Sequence, residues 1–268
     1  AITKHIQELE AAYQTRLFDR QGSRISLTES GNLLLEHCER ILEDYKRLEY
    51  EMHLLHNEYT GGLKLGASTT IAQYVLPPLL ASFIGKCPQV SLSLLNGNSR
   101  EIEAALQEHR IDLGFVEGVF RLPNIRYTTF LEDELVAVVR TGSKLAVGEE
   151  ITPDELFHLP LVLRERGSGT LDVFERALQQ HNIKLSSLQV LMYLGSTESI
   201  KLFLEHTDCL GIVSVRSITR ELYSGQLRVV EIKGMPMLRD FSFAQPQGQE
   251  SGLAQVFMQF AMHNNHKL

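Results

Sequence analysis

Four short stretches rich in hydroxyl and amide side chains, each following an apolar run, concentrate the chemistry of this 268-residue sequence. Ser68, Thr69 and Thr70 follow LKLGA, and Asn96, Gly97, Asn98 and Ser99 follow VSLSLL. The stretch RERGSGT, from Arg164 to Thr170, follows PLVL, and Gly195, Ser196, Thr197 and Glu198 follow LQVLMYL. At strand-to-helix junctions these residues sit where the first backbone N–H groups of a helix point outward, so each stretch can cap its helix. One junction of this kind would signify only a cap. Four of them, two in each half of the region, predict a cleft lined by helix N-termini, an environment suited to a carboxylate, sulfate or phosphate. Arg164 and Arg166 add positive charge, and Gly167 and Gly169 let the backbone approach a ligand closely. Glu117 ends the run IDLGFV. It reads as a partner for a cationic group, as a partner for an arginine across the cleft, or as a solvent-facing side chain.

Other chemistries find little support. The sequence contains no G-x-S-x-G, no G-x-x-x-x-G-K-[ST], no H-E-x-x-H and no G-x-G-x-x-G, so neither catalysis nor a nucleotide cofactor is expected. The three cysteines (Cys38, Cys87 and Cys209) are scattered, which suits a reducing cytoplasm. His53 and His56 can share a helix face, but nothing completes a metal set, so no metal is expected. The net charge of −7 excludes a generally basic surface and leaves room for a local basic patch. No apolar run reaches the roughly 18–20 residues of a membrane span. No initiator Met opens the sequence, and its first residues read as an amphipathic helix rather than a secretory signal, so the chain reads as a fragment.

The elements that must position these groups fall into three segments. In 1–27, Ile2, Ile6, Leu9 and Tyr13 form one buried stripe of a helix, with Thr3, Lys4 and Gln7 on the opposite face. Gly22 between Arg20 and Arg24 suggests a turn in a basic hairpin able to lie along a phosphate backbone. An ordinary helix and surface turn fits these residues as well. In 28–58, Thr28 and Glu29 make an N-cap with an acidic first turn. Leu34, Cys38, Ile41, Tyr45, Leu48, Met52 and Leu55 then repeat at steps of four and three, a seam for a partner helix over about three heptads. Thr60, Gly61 and Gly62 read as a hinge. From Leu63 onward, strand-like runs (63–67, 90–95, 111–116, 134–139, 160–163, 188–194, 210–214, 227–232 and 241–245) alternate with helices near 71–85, 99–109, 169–181, 197–206 and 251–264. That alternation predicts an α/β fold with parallel, doubly wound sheets and ligands at the carboxyl ends of the strands.

Several strings resemble the LysR-type transcriptional regulators. AITKHIQELE, RLFDR (16–20) and LTESG (27–31) are similar to the second half of that family's winged helix-turn-helix. LGASTTIAQYVLPPLL, GNSREI, LRERGSGT and LGSTESIK resemble its regulatory domain, in the branch with regulators of carbon fixation and sulfur assimilation. The resemblance covers essentially the whole chain. It implies the C-terminal part of a DNA-binding domain (1–27), a dimerisation linker helix (28–59) and a hinge (60–62). A bilobed, periplasmic-binding-protein-like effector domain follows, with 63–139 plus 241–268 as lobe I and 140–240 as lobe II. A small anionic effector would lie between the lobes against Ser68, Thr69, Thr70, Ser168, Gly169, Thr170 and Thr197, with Ser99, Arg164 and Glu198 as further contacts. Thr3 and Lys4 would face DNA from the recognition helix, and Arg20 and Arg24 from the wing. The implied protein is a cytoplasmic homodimer or homotetramer on an A/T-rich inverted repeat in promoter DNA, with RNA polymerase as a further candidate partner and no membrane association. A solute-binding receptor without a DNA role is the main rival, and an enzyme built on the same fold is the third reading.

Overall fold

The computed structural model describes residues 2–21, 24–55, 59–119, 121–145, 148–247 and 252–264. The chain divides into two compact units, Ala1–Glu58 and Tyr59–Leu268. In the first unit, helix α1 (Ile2–Tyr13) is followed by strands β1 (Phe18–Gln21) and β2 (Arg24–Leu27) and by helix α2 (Glu29–Leu55). The hairpin is antiparallel, pairing Phe18 with Leu27 and Gln21 with Arg24. Its tip at 22–23 lies outside the described residues. Thr28 caps α2, its Oγ1 accepting from the Gly31 amide at 3.0 Å and donating to the Arg16 carbonyl at 2.7 Å. The stripe expected to be buried on α1 is not: the helix has no buried residue, and Ile2, Leu9 and Tyr13 are exposed. Among the described residues of this unit Leu17 is the buried apolar side chain, so periodicity correctly finds the helix but not what covers it. On α2, Ile41, Tyr45, Leu48 and Met52 are exposed, while Leu34 and Cys38 are half-buried. The Leu55 side chain lies outside what is described. Leu33, Leu35 and Leu42 are exposed too, so the apolar surface of α2 is broader than a single seam.

The second unit is built on one twisted sheet. Strand β3 (Gly61–Ser68) leads to α3 (Thr69–Tyr74) and α4 (Leu76–Lys86), and β4 (Val90–Gly97) leads to α5 (Ser99–Gln107). The strands β5 (Leu113–Glu117), β6 (Ile125–Arg140), β7 (Glu150–Ile151) and β8 (Pro160–Arg164) follow. After them come α6 (Gly169–Gln180), β9 (Gln189–Leu194), α7 (Thr197–His206), β10 (Leu210–Ser214) and α8 (Thr219–Tyr223). β11 (Leu227–Ile232), β12 (Leu238–Pro246) and α9 (Gly252–Asn264) complete it. The sheet order is β4-β3-β5-β12-β6-β10-β8-β9. Gly61 and Gly62, expected as a hinge, are already paired with Val90 and Ser91, because backbone ladder bonds need no side chain.

The sheet is mixed rather than parallel throughout. β3 is parallel to β4 and β5, and β8 to β9 and β10, the pairing that strand–helix–strand connections produce. β12 runs antiparallel to β5 and β6. β6 is the longest strand and changes partners along its length: Ile125–Glu134 pairs with β12, whereas Leu135–Val138 pairs with β10 and Ala137–Arg140 with β11. Two long antiparallel strands therefore carry the chain between the lobes. β6 starts well before the run expected at 134, because pairing with β12 holds Thr128, Thr129, Glu132 and Asp133 in a strand despite their polarity. The single helix expected over 71–85 is two helices broken at Val75, with Pro77 and Pro78 in the first turn of α4, where a missing N–H costs nothing.

Each lobe has its own core. In lobe I, Phe83 on α4 packs edge-on to Phe257 and Phe260 on α9, with ring centroids 4.9 and 5.2 Å apart. Phe115, Phe130 and Phe243 continue the cluster across the sheet. In lobe II, Leu171, Phe174 and Leu178 of α6 cover one sheet face, and Ile200 and Leu204 of α7 cover the other. Phe257→Ala should cost about 3–5 kcal/mol of unfolding free energy in a denaturant titration, through lost burial and a residual cavity. A loss below about 1 kcal/mol would mean that α9 contributes little to this core.

Candidate functional site

The four junctions assemble between the lobes, but their side chains do different work. Three hold helix caps. Asn98 forms a reciprocal capping box with Glu101, Ser168 accepts from the Leu171 amide at 3.2 Å, and Ser196 accepts from the Ser199 amide at 3.1 Å. Ser68 precedes α3 but makes no cap bond. Its hydroxyl is buried without a hydrogen-bond partner among the described residues, an uncompensated position costing about 1–3 kcal/mol.

The remaining expected site residues are nearly all buried, and most of their polar atoms are engaged. Thr69 donates to the Gly97 carbonyl at 3.2 Å, and Ser99 donates to the Glu117 carbonyl at 2.8 Å. Arg164 is 1% exposed and binds Glu165 through two hydrogen bonds of 2.8 and 3.0 Å, so its charge is balanced locally. Its Nη1 reaches Thr197 at only 3.5 Å. Glu198 is exposed and looks across to lobe I, accepting from the Tyr74 hydroxyl.

Glu117 pairs with an arginine, but not with one across the cleft: Arg239 comes from β12, the strand beside its own. Its Oε1 accepts from Thr70 of lobe I and from Thr170 of lobe II, each at 3.3 Å. Its Oε2 lies 3.1 Å from Arg239 Nη2. Arg239, on β12, donates through Nε to Asp133 at 2.7 Å and through Nη1 to Thr170 at 3.0 Å. Its Nη2 makes no aligned hydrogen bond, so attraction there is Coulombic rather than directional. Asp133, on β6, also accepts from Ser214 at 2.7 Å and has Arg216 Nε at 3.6 Å. Two buried carboxylates thus face the buried guanidinium of Arg239 and, at the edge of the cluster, the partly exposed one of Arg216. The spacing of residues 117, 133, 216 and 239 gives no hint of this, since β5, β6, the turn after β10 and β12 meet only once the sheet has formed.

Glycines make the lobe contact possible. A Cβ on Gly169 would overlap the Glu117 carbonyl group, and one on Gly118, whose φ is +109°, would lie 2.9 Å from Gly169 Cα. The Gly167 carbonyl accepts from the Arg100 amide at 3.3 Å, tying the RERGSGT loop to the start of α5. Among the described residues, no group of three or more His, Cys, Asp or Glu is placed to hold a metal ion.

Comparison with known proteins adds to this geometry. The model described as "LysR substrate binding domain" matches residues 56–265, and "Bacterial regulatory helix-turn-helix protein, lysR family" matches residues 1–32. An uncharacterized HTH-type transcriptional regulator of Escherichia coli, YeiE, is 34% identical over 87% of this chain and 76% of its own length. The RuBisCO operon transcriptional regulator of Acidithiobacillus ferrooxidans is 29% identical over 97% of this chain and 83% of its own. Among solved structures, the regulatory domain of Synechocystis CcmR in complex with 2-phosphoglycolate is similar at 28% identity and a TM-score of 0.69. That likeness covers 76% of this chain and 97% of that one.

Removing one member of the buried ion cluster should be severe. Arg239→Met leaves Glu117 without a cationic partner and Asp133 with only the partly exposed Arg216, and should cost about 3–5 kcal/mol by denaturant unfolding. Adding Glu117→Gln should recover part of that loss. If the double variant were as unstable as the sum of the two single changes, the charges would not be coupled.

Proposed function

The chain belongs to the LysR family of bacterial transcriptional regulators, and we propose that its two-lobed domain senses a small organic anion held between the lobes. The observation that carries this reading is the buried Ser68 hydroxyl, left without a partner where the neighbouring junctions spend theirs on caps and cross-links. Thr197 is the next most available group, holding only a long contact from Arg164. The pairing of Glu117 with Arg239 lowers the electrostatic cost of placing an anion beside it. Thr69 supports the same cleft, while Thr170 acts chiefly through the ion cluster.

Binding would favour one arrangement of the lobes and so alter promoter binding, by no more than the difference in ligand affinity between arrangements. The family's DNA role assigns Thr3 and Lys4 to an exposed face of α1, and Arg20 and Arg24 to the hairpin strands. The target would be an A/T-rich inverted repeat in the cytoplasm, with RNA polymerase as a further partner. Association into dimers or tetramers is supported by the exposed apolar surface of α2. It is also supported by the sheet's terminal strands, where Leu94 and Leu95 on β4 and Leu191, Met192 and Tyr193 on β9 are exposed. Among the described residues, no helix is long and apolar enough to cross a membrane.

Two measurements test this reading. With 2-phosphoglycolate as the probe, Ser68→Ala should lower affinity about tenfold in calorimetry, the worth of one hydrogen bond to an ionised group. It should leave thermal stability equal or higher, because an unsatisfied hydroxyl is removed; unchanged affinity would sink the cleft assignment. Arg24→Ala should weaken DNA binding across sequences and flatten the salt dependence, by about 0.9 in log–log slope for each phosphate that is no longer neutralised. An unaltered slope would remove the hairpin from the DNA interface.

A further inference from the structure

A cavity of about 710 Å³ opens between the lobes, lined by Tyr74, Pro77 and Pro78 from lobe I and by Glu198, Lys201 and Arg220 from lobe II. It is lined by residues of the same helices, α3 and α7, that the hydroxyl-bearing junctions begin. Tyr74 ends the helix that Thr69 and Thr70 begin, and Glu198 follows Thr197. The Tyr74 hydroxyl donates to Glu198 Oε1 and so joins one lobe to the other. Burial, then the hydrogen bond and charge of Glu198, push the Tyr74 hydroxyl well above the usual phenol range, which keeps it a proton donor. Burial alone would raise the Glu198 carboxyl, but hydrogen bonds from Lys201 and Tyr74 hold it below its ordinary value. The contact is therefore a neutral donor on an ionised acceptor, the stronger kind of hydrogen bond.

The cations around this cavity are not equally committed. Lys201 Nζ is taken by Glu198 at 2.7 Å, Glu221 at 2.8 Å and the Ser217 carbonyl at 2.9 Å. Arg216, also in the wall, donates to the Glu132 carbonyl at 3.1 Å and faces Asp133. Arg220 is exposed and its side chain makes no hydrogen bond or ion pair among the described residues, although its charge acts on Glu198. The cavity thus offers one uncommitted guanidinium on a polar side and an apolar wall of two prolines and a tyrosine ring on the other. A planar fork of N–H donors suits a carboxylate or phosphate oxygen pair, and the apolar wall suits a short carbon body.

We infer that this cavity is a second anion-binding site, an antechamber in which Arg220 takes the oxyanion of a small organic acid or phosphate ester. The Tyr74–Glu198 hydrogen bond is the latch between it and the inner cleft. The antechamber role rests on the inner-cleft reading given above; binding at Arg220 does not. An anion seated on Arg220 repels Glu198 and competes for the Tyr74 hydroxyl, which loosens the side-chain bond that joins α3 to α7. Passage inward then re-forms the latch behind the ligand.

Calorimetric titration of the full chain with 2-phosphoglycolate should show two sites of unequal affinity. Arg220→Ala should abolish the weaker and keep the tighter, Ser68→Ala should weaken the tighter about tenfold, and Arg220→Lys should restore part of the weaker. Tyr74→Phe should accelerate ligand dissociation at least fivefold in stopped-flow while leaving the melting temperature within a few degrees. One site in the unmodified chain, or two unchanged sites in Arg220→Ala, would overturn the proposal. If Arg220→Ala removed a site while Ser68→Ala changed nothing, the cavity would stand as a binding site and the inner cleft would fall. Unchanged dissociation in Tyr74→Phe would overturn the latch alone.

Discussion

The contact between Glu117, Arg239 and Asp133 sets the terms for the rest of the effector domain. Each group is almost fully buried, and a buried charge is tolerable only when an opposite charge and hydrogen bonds replace the water it has lost. Meeting that condition requires β5, β6 and β12 to lie side by side, because each contributes one of the three groups. It also recruits Thr70 from the first lobe and Thr170 from the second onto one carboxylate oxygen. The relative placement of α3 and α6 therefore follows from electrostatic satisfaction as much as from apolar burial. Such a cluster adds little net stability compared with a well-packed apolar substitute. It penalises arrangements that leave any member unpaired.

Much of this domain was legible from residue patterns, for identifiable reasons. Strands such as 160–164 and 210–214 are short apolar runs bounded by turn residues, and helices α5, α6 and α7 each begin just after an Asn or Ser that does cap it. The local signal and the tertiary environment agree there. β6 was only half visible, because its first half is polar and depends on a partner strand more than a hundred residues away. The parallel order inferred from strand–helix alternation missed the antiparallel crossing by β6 and β12 for the same reason. The stripe on α1 illustrates the opposite limit, since periodicity reveals an apolar face without showing what it meets.

At the site, residue types located the junctions but could not rank them. Ser, Thr and Asn before a helix are ambiguous between capping and ligand binding, and the ambiguity ends only when hydrogen-bond partners are assigned. Ser168 and Ser196 are used up as caps, Ser99 as a brace for β5, and Ser68 is left over. Arg239 was invisible as a site residue because it precedes the apolar run at 241–245, and only the strand's extension back to Leu238 carries it into the sheet. Lys201 and Tyr74 were hidden similarly, each sitting at an unremarkable helical position until the lobes meet.

The same contacts limit how the two lobes of the domain can move against each other. The lobes touch through backbone at Gly118, Gly167 and Gly169, so small rotations there are opposed by hard contact on one side and loss of the Thr170 hydrogen bonds on the other. That makes the joint stiff about this arrangement rather than continuously soft. A ligand that binds the closed arrangement a hundredfold better than the open one shifts the equilibrium by about 2.7 kcal/mol, comparable to a few buried hydrogen bonds. One or two oxyanion contacts made only when the lobes are together are enough to supply it. In the proposed reading the domain therefore needs no large binding energy, only contacts drawn from both lobes, for which Ser68 in one and Thr197 in the other are the least committed groups. β6 and β12 run through both lobes and carry the ion cluster, so any such rotation is delivered directly to the strands that connect them.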